Sequence, residues 1–318
     1  MNLDDLQTLA TDIRTEIGKA VHGQDAVINQ LLISLFARGH CLLEGPPGTA
    51  KTLLAQSMAT TLKLEFKRIQ FTPDLMPGDV IGANIFDFNT SKFNLIKGPI
   101  FTDILLTDEI NRAPPKTQAA LLQVMNERTV TIDGSNHTVG DPFFVIATQN
   151  PIEHQGTYPL PEAQLDRFLF KLVLDFPEHD AELEILRRHA NQPLEHEARK
   201  ANLKAVASKA KIKQGQDLVD SIRLDEKILT YVLALVRATR QDSSISHGAS
   251  TRAADALCGA VRATAALQGR DYAIPDDVKA LFRSSMRHRI VLSPSAEIEG
   301  STHDDVLDQL LNQVEAPR

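Results

Sequence analysis

Apolar residues recur at helical spacing from the first residues: Leu3, Leu6, Leu9, Ile13 and Ile17 mark an amphipathic helical region over residues 1–20, broken once at most. Val21 to Gln24 reads as a turn, and a second helix is expected over 25–37, ended by Gly39. A short apolar run at 41–44 predicts a buried strand, and residues 53–62 suit a helix. Further short strands are predicted at 65–70, 104–107, 143–148 and 169–174. Between them, Pro114 and Pro115 open a helix that runs to about Glu127, and Pro161 opens a shorter one. Residues 71–82 are rich in Pro and Gly; with 83–87 they suggest an inserted loop, helix or hairpin. Residues 128–138 read as a hairpin turning at Asp133-Gly134.

Short apolar strands alternating with helices predict an α/β fold with a mostly parallel sheet covered on both faces. After Phe176-Pro177 the pattern changes. Helical periodicity covers 178–190, 201–210, 225–240, 250–268, 275–287 and 303–313, and strand signals nearly vanish. Two domains are expected: an α/β domain over 1–177 and a smaller all-helical one over 178–318.

The strand at 41–44 runs into Gly45-Pro46-Pro47-Gly48-Thr49-Ala50-Lys51-Thr52, and a helix follows from Leu53. Strand, glycine-rich turn and helix in that order make a phosphate-binding loop. Gly45 and Gly48 let backbone N–H groups turn inward, and the helix start adds its unpaired donors. Lys51 supplies a point charge for the outer phosphates and Thr52 a hydroxyl for magnesium.

A second signal lies at Asp108-Glu109, directly after a buried strand. Asp108 suits a magnesium ligand, direct or through water, and Glu109 a base for the attacking water. Alone, the pair fits a helix N-cap equally well; the phosphate loop favours the catalytic reading. Asn150, in Thr148-Gln149-Asn150-Pro151, can donate to a phosphate and accept from water, though an Asn-Pro turn is as good a local reading. Arg167 suits a cation reaching a neighbouring subunit's nucleotide, or a surface pair with Asp166. Arg252 sits at a helix start behind Ser250, where a cation is mildly unfavourable unless an anion offsets it.

Composition narrows the classes. The chain has 318 residues, 42 % hydrophobic and 24 % charged, with a formal net charge of -7. That charge offers no global cationic surface for nucleic acid or anionic lipid. Cys41 and Cys258 lack metal or redox spacing and read as small buried residues. His22, His154, His247 and His288 form no metal set and read as surface or turn residues. No signal peptide and no membrane-spanning run precede the motifs, so a reducing, cytoplasmic setting is expected.

These motifs together resemble the MoxR family of AAA+ ATPases, over roughly residues 10–292. The resemblance is carried by residues 45–52, Leu105 to Arg112, Thr148 to Pro151, Gln164 to Phe168 and Gly248 to Ala253. Gly269 to Tyr272, Pro275 to Val278 and Arg287-His288-Arg289 add to it. It implies an ATPase using ATP and Mg2+. Lys51, Asp108 and Glu109 would be its phosphate, metal and water-activating residues, and Asn150 its first sensor. Arg167 would be a finger acting in trans and Arg252 a second sensor acting in cis. The nucleotide would touch Val21, His22, Gly23, Gly45, Pro46, Pro47, Gly48, Thr49, Ala50, Lys51, Thr52 and Leu53. Residues 71–88 and 128–140 would be inserts facing a pore. The family's ring, often a hexamer, and its chaperone-like work on protein clients, many with von Willebrand factor A domain proteins, complete the expectation. His22 and Thr107 depart slightly from the family pattern without removing an essential group. Two other classes compete: a nucleic-acid motor or loader built on the same engine, and a nucleotide-gated scaffold that binds ATP without turning it over.

Overall fold

A computed structural model describes residues 1–151, 156–190 and 202–317; His154 lies outside them. The chain opens with α1 (Leu3–Gly18) and α2 (Asp25–Phe36), then β1 (Cys41–Glu44), α3 (Lys51–Leu62) and β2 (Phe66–Gln70). A short helix α4 (Pro77–Ile81) leads into the hairpin β3 (Gly82–Asp87) and β4 (Lys92–Lys97). β5 (Ile104–Asp108) and α5 (Pro115–Glu127) follow, then the hairpin β6 (Thr129–Ile132) and β7 (Ser135–Thr138). β8 (Phe144–Gln149), α6 (Glu162–Leu165) and β9 (Phe170–Val173) complete the α/β part. The C-terminal part holds α7 (His179–His189), α8 (Lys209–Ser221), α9 (Glu226–Ala238), β10 (Ile245–His247), α10 (Thr251–Leu267) and α11 (Pro275–Met286). It ends with β11 (Val291–Leu292), α12 (Pro294–Ile298) and α13 (His303–Gln313).

The five-stranded sheet runs β2-β5-β8-β1-β9, every pairing parallel. Successive side chains of a strand point to opposite faces, and the core obeys this. Ile104 and Leu106 of β5, with Phe144 and Ile146 of β8, join the apolar cluster that holds α1, α2 and α3. Leu105, Val145 and Ala147 join the cluster under α5 and the two hairpins. All five strands therefore aim their C-terminal ends the same way, toward the crevice where parallel α/β sheets bind ligands.

α1 is continuous, not broken: Asn2 and Asp5 form a reciprocal capping box, and Leu6, Leu9, Ala10, Ile13 and Ile17 bury one stripe. The helix expected at 201–210 is displaced. Residues 202–208 are not helical, because the N–H groups of Val206 and Ala207 donate to the Thr61 carbonyl at the end of α3. Ser208 then caps α8, accepting from Lys211 N–H. The helical part also contains the small antiparallel pair β10–β11, which no strand signal announced. The first apolar cluster continues from α1–α3 into α8–α11 and α13, so packing does not stop at residue 177. Cys41 and Cys258 are buried and free, as expected.

His40 precedes β1 and is fully enclosed beside Phe143 and Phe144. Its Nδ1 accepts from Val145 N–H at 3.1 Å, so its Nε2 donates to the Met125 carbonyl at 3.0 Å. Burial pushes its pKa down to about 4 from the usual 6.5. The unfolded chain then binds the extra proton between these values. The stability from the neutral ring is complete above pH 6.5 and is lost as pH falls toward 4, on the order of 3 kcal/mol. Denaturant titrations at pH 7.5 and 4.5 should show that loss, and His40→Gln should flatten it. His288, expected at the surface, is also buried and its pKa is lowered by desolvation, so it adds to the same trend.

Candidate active site

β1 leaves the sheet at Glu44 and the chain turns sharply at Gly45. A Cβ there would lie 2.3 Å from the Leu174 carbonyl oxygen, so only glycine fits between β1 and β9. Its N–H points to the Gln149 carbonyl at the end of β8, 3.4 Å away. Gly48 (φ 88°) and Ala50 (φ 60°) both lie in the left-handed region. Positive φ at alanine, on the entry side of a helix, is strain of about 1–3 kcal/mol that local structure must sustain. Lys51 opens α3, and its Nζ donates to the carbonyls of Gly45 (2.7 Å) and Pro46 (2.8 Å) and to Thr49 Oγ1 (3.2 Å). Thr52 and Leu53 follow in the first helical turn. Because the clash is with backbone oxygen rather than a movable side chain, Gly45→Ala is expected to lower the melting temperature as well as to weaken nucleotide binding at least tenfold; a fluorescent-nucleotide titration beside a thermal melt checks both.

Three strand ends converge here. β5 lies between β2 and β8, and β1 lies beyond β8. Asp108 ends β5 and is buried; Glu109 follows with φ 55°, a second strained non-glycine residue. Thr148 in β8 joins them: its Oγ1 donates to Asp108 Oδ1 (3.2 Å) and accepts from Glu109 N–H (3.0 Å). β2 supplies the other partners. Gln70 pairs in register with Asp108. Arg68 Nε donates to Asp108 Oδ2 at 2.5 Å, and Gln70 Nε2 to Glu109 Oε2 at 2.7 Å. Arg112 Nε lies 2.9 Å from the same Glu109 oxygen. The N-cap reading of the acidic pair falls away, because neither carboxylate caps a helix. Burial lowers the Lys51 pKa, and the nearby charges of Asp108 and Glu109 oppose that fall, so the lysine and both carboxylates share one electrostatic environment.

Asn150 directly follows β8, beside the Gln149 carbonyl that faces Gly45. Val21 is buried, and a Cβ on Gly23 would meet Pro177 and Ala181 at 3.5 and 3.0 Å. Gln24 Nε2 donates to the Asp175 carbonyl. The Val21-His22-Gly23 turn and Gly45 thus border the same chain segment after β9.

The arginines stand elsewhere. Arg167 Nη1 donates to the Leu122 carbonyl of α5, and Arg252 Nη2 to Asn126 Oδ1 one turn further along the same helix. Both line a cavity of about 270 Å³ together with Gly39, Leu169 and Arg289. Gly39 precedes β1, whereas Gly45 follows it. Residues 40–44, four of them β1, separate Gly39 from Gly45, a span of roughly 20 Å. Arg252 sits beside Arg167 at the opposite end of the strands, because α10 packs on α1, α2 and α8 rather than over the phosphate loop.

Arg68, Gln70 and Thr148 were not singled out from sequence as site residues. A faint signal existed in β2, where Arg68 and Gln70 are polar at alternate positions around buried Ile69. Among the described residues, no group of three or more His, Cys, Asp or Glu could hold a metal. Asp108, a single buried carboxylate at the end of β5, has the donor chemistry of a magnesium site, where one or two carboxylates act together with substrate phosphates and water.

Comparisons with known proteins identify the family. Residues 40–170 match the family model described as ATPase family associated with various cellular activities (AAA), and residues 237–310 match the AAA lid domain. The chain is 39 % identical to chaperone MoxR1 of Mycobacterium tuberculosis over 98 % of its own length and 84 % of that protein's. Its identity to protein MoxR of Methylorubrum extorquens is 31 %, covering 99 % and 97 %. A solved structure from Cytophaga hutchinsonii, assigned as an ATPase, superposes with a TM-score of 0.90 at 38 % identity, covering 99 % of this chain and 97 % of that one. The chain belongs to the MoxR family of AAA ATPases. Its parallel sheet and helical lid are the AAA and lid parts of that family, and its activity is that of an ATPase. No helix among the described residues is long and apolar enough to cross a membrane.

Proposed function

We propose that this chain hydrolyses Mg–ATP at sites completed between copies in a closed ring, a hexamer, and uses the cycle to remodel or mature a protein client, including metal or cofactor insertion. One observation carries the reading. The cations suited to stabilising phosphoryl transfer, Arg167 and Arg252, lie at the far end of β1 from their own phosphate loop. A second copy must bring its arginine face to that loop for a complete site.

In this mechanism the backbone N–H groups of residues 45–52 and Lys51 bind the phosphates, and the Val21–Gly23 turn borders the base. Thr52 and Asp108 would hold magnesium, which when bound would neutralise charge on the outer phosphates. Arg68 and Thr148 orient the Asp108 carboxylate. Glu109 takes a proton from the attacking water as that oxygen bonds to the outer phosphorus and the bridging oxygen leaves with ADP. Asn150 aligns water against the phosphate. Residues 1–177 act as the nucleotide-binding domain and 178–318 as the lid. The insert offers a client-facing surface: Phe88 and Phe93 at the β3–β4 hairpin are 87 % and 70 % exposed, and Ile85 and Ile96 are exposed beside them. A von Willebrand factor A domain protein, and the chaperone role named for the mycobacterial relative, fit such a surface.

Native mass spectrometry with and without Mg–ATP tests the ring. A nucleotide-dependent closed oligomer is expected. A monomer at every nucleotide concentration, still hydrolysing ATP at full rate, would remove the composite-site reading.

A further inference from the structure

Arg287-His288-Arg289, after α11, is part of the family pattern but has no place in the chemistry above. Its surroundings give it one. The Arg289 side chain is 3 % exposed. Its Nε donates to Asp166 Oδ1 at 2.7 Å. Its Nη2 donates to the carbonyls of Asp166 (3.2 Å) and Phe168 (2.8 Å), and its Nη1 to that of Leu169 (3.2 Å). Nη1 also donates to Ser285, near the end of α11. His288 Nε2 donates to the Phe168 carbonyl at 2.9 Å. These acceptors flank one residue, Arg167.

The network reaches the other arginine as well. Asp166 Oδ2 accepts from Ser250 Oγ at 3.3 Å. Ser250 is the N-cap of α10, accepting from Ala253 N–H at 3.2 Å, and Arg252 is the second residue of that helix. Asp166 therefore bridges the lid's Arg289, the cap that fixes Arg252 and the backbone that carries Arg167. A buried ion pair is a poor source of stability, since apolar packing of equal volume often does as well. A fork of five directed N–H donors is a good source of geometry. Burial and the carbonyl partners hold this fork in one orientation.

We propose that Arg289 and Asp166 are positioning residues that lock Arg167 and Arg252 into one preassembled, two-pronged receptor for the terminal phosphate of a nucleotide held by a second copy of this chain. The proposal rests on the reading that Arg167 acts in trans. It makes the lid part of the neighbour's active site: a shift of α11 moves both prongs together. Misplacement of such a group by about 1 Å lowers turnover roughly a hundredfold.

The test uses Asp166→Asn, which keeps the shape and removes the charge, and Arg289→Lys, which keeps the charge and removes the fork. Each is measured for fluorescent-nucleotide affinity, kcat, ring assembly and activity in mixtures with Lys51→Ala. In such rings the Lys51→Ala subunit offers an intact arginine face but no working phosphate loop. Both variants are expected to form rings and bind nucleotide within about twofold of the parent, to lose roughly a hundredfold in kcat, and to regain turnover on mixing. Variants that lose nucleotide affinity in step with kcat, or that stay inactive on mixing while Arg167→Ala recovers, would overturn the positioning role. If Arg167→Ala itself fails to recover with Lys51→Ala, it is the trans reading beneath that fails. Should both substitutions prevent assembly, Ser250→Ala cuts the network at its exposed end. A fall in kcat without loss of nucleotide affinity, recovered on mixing, then supports the proposal, and unchanged kcat contradicts it.

Discussion

Glu109→Gln is expected to bind ATP with near-normal affinity and to hydrolyse it about 10²–10⁴ times more slowly. The substitution keeps the shape of the side chain and removes its ability to accept a proton. Among the described residues the Glu109 side chain meets Gln70 and Arg112, and both contacts are in part exposed. Neither is a core interaction, so the variant should fold, and an exposed ion pair contributes at most about 1 kcal/mol. Asp108 keeps Thr148 and Arg68, so the metal-binding carboxylate stays in place. Steady-state phosphate release beside equilibrium nucleotide binding separates the two effects. Turnover near the parent rate would remove Glu109 from the base role. Full biological function in a variant that binds but does not turn over would favour the nucleotide-gated scaffold instead. The same variant, held with ATP, is suited to capturing the client in a pull-down.

Arg167→Ala is expected to lower kcat about 10³-fold or more, the effect typical of an arginine finger, with little change in nucleotide affinity. Arg167 is held in place by the Leu122 carbonyl and by its own backbone, not by the phosphate loop. Its loss should leave each subunit's own binding pocket intact. Mixed rings of Arg167→Ala and Lys51→Ala give the sharper result. Each subunit alone is inactive, but a Lys51→Ala neighbour restores the missing arginine to an Arg167→Ala phosphate loop. Activity should rise and fall with the fraction of such junctions. Its absence at every mixing ratio would show that the arginine serves its own chain or none.

The parts legible in sequence were those whose chemistry is contiguous. Residues 45–52 must be neighbours in the chain to cradle phosphate, and the five strands of the sheet, β1, β2, β5, β8 and β9, fall at the short strand segments read from the sequence. Asp108 and Glu109 were legible because they follow such a run. Contacts made across strands were not. Arg68, Gln70 and Thr148 meet the acidic pair only through the β2-β5-β8 register. The start of α8 depends on Val206 and Ala207 finding the Thr61 carbonyl, a tertiary bond that overrides local helical periodicity. β10 and β11, of three and two residues, are too short to give a period. The end of the sheet at which Arg252 sits is set by lid packing, and His288 is buried by the same packing. Neither leaves a trace in spacing along the chain.

A cryo-EM structure of Glu109→Gln with Mg–ATP is the most direct measurement. The expected map shows nucleotide phosphates between Lys51 and Asp108 of one subunit, with Arg167 and Arg252 of the next subunit approaching the outer phosphate. A map in which the phosphates are met only by arginines of the same chain, or in which Arg167 and Arg252 face solvent in an assembled, ATP-filled ring, would contradict it.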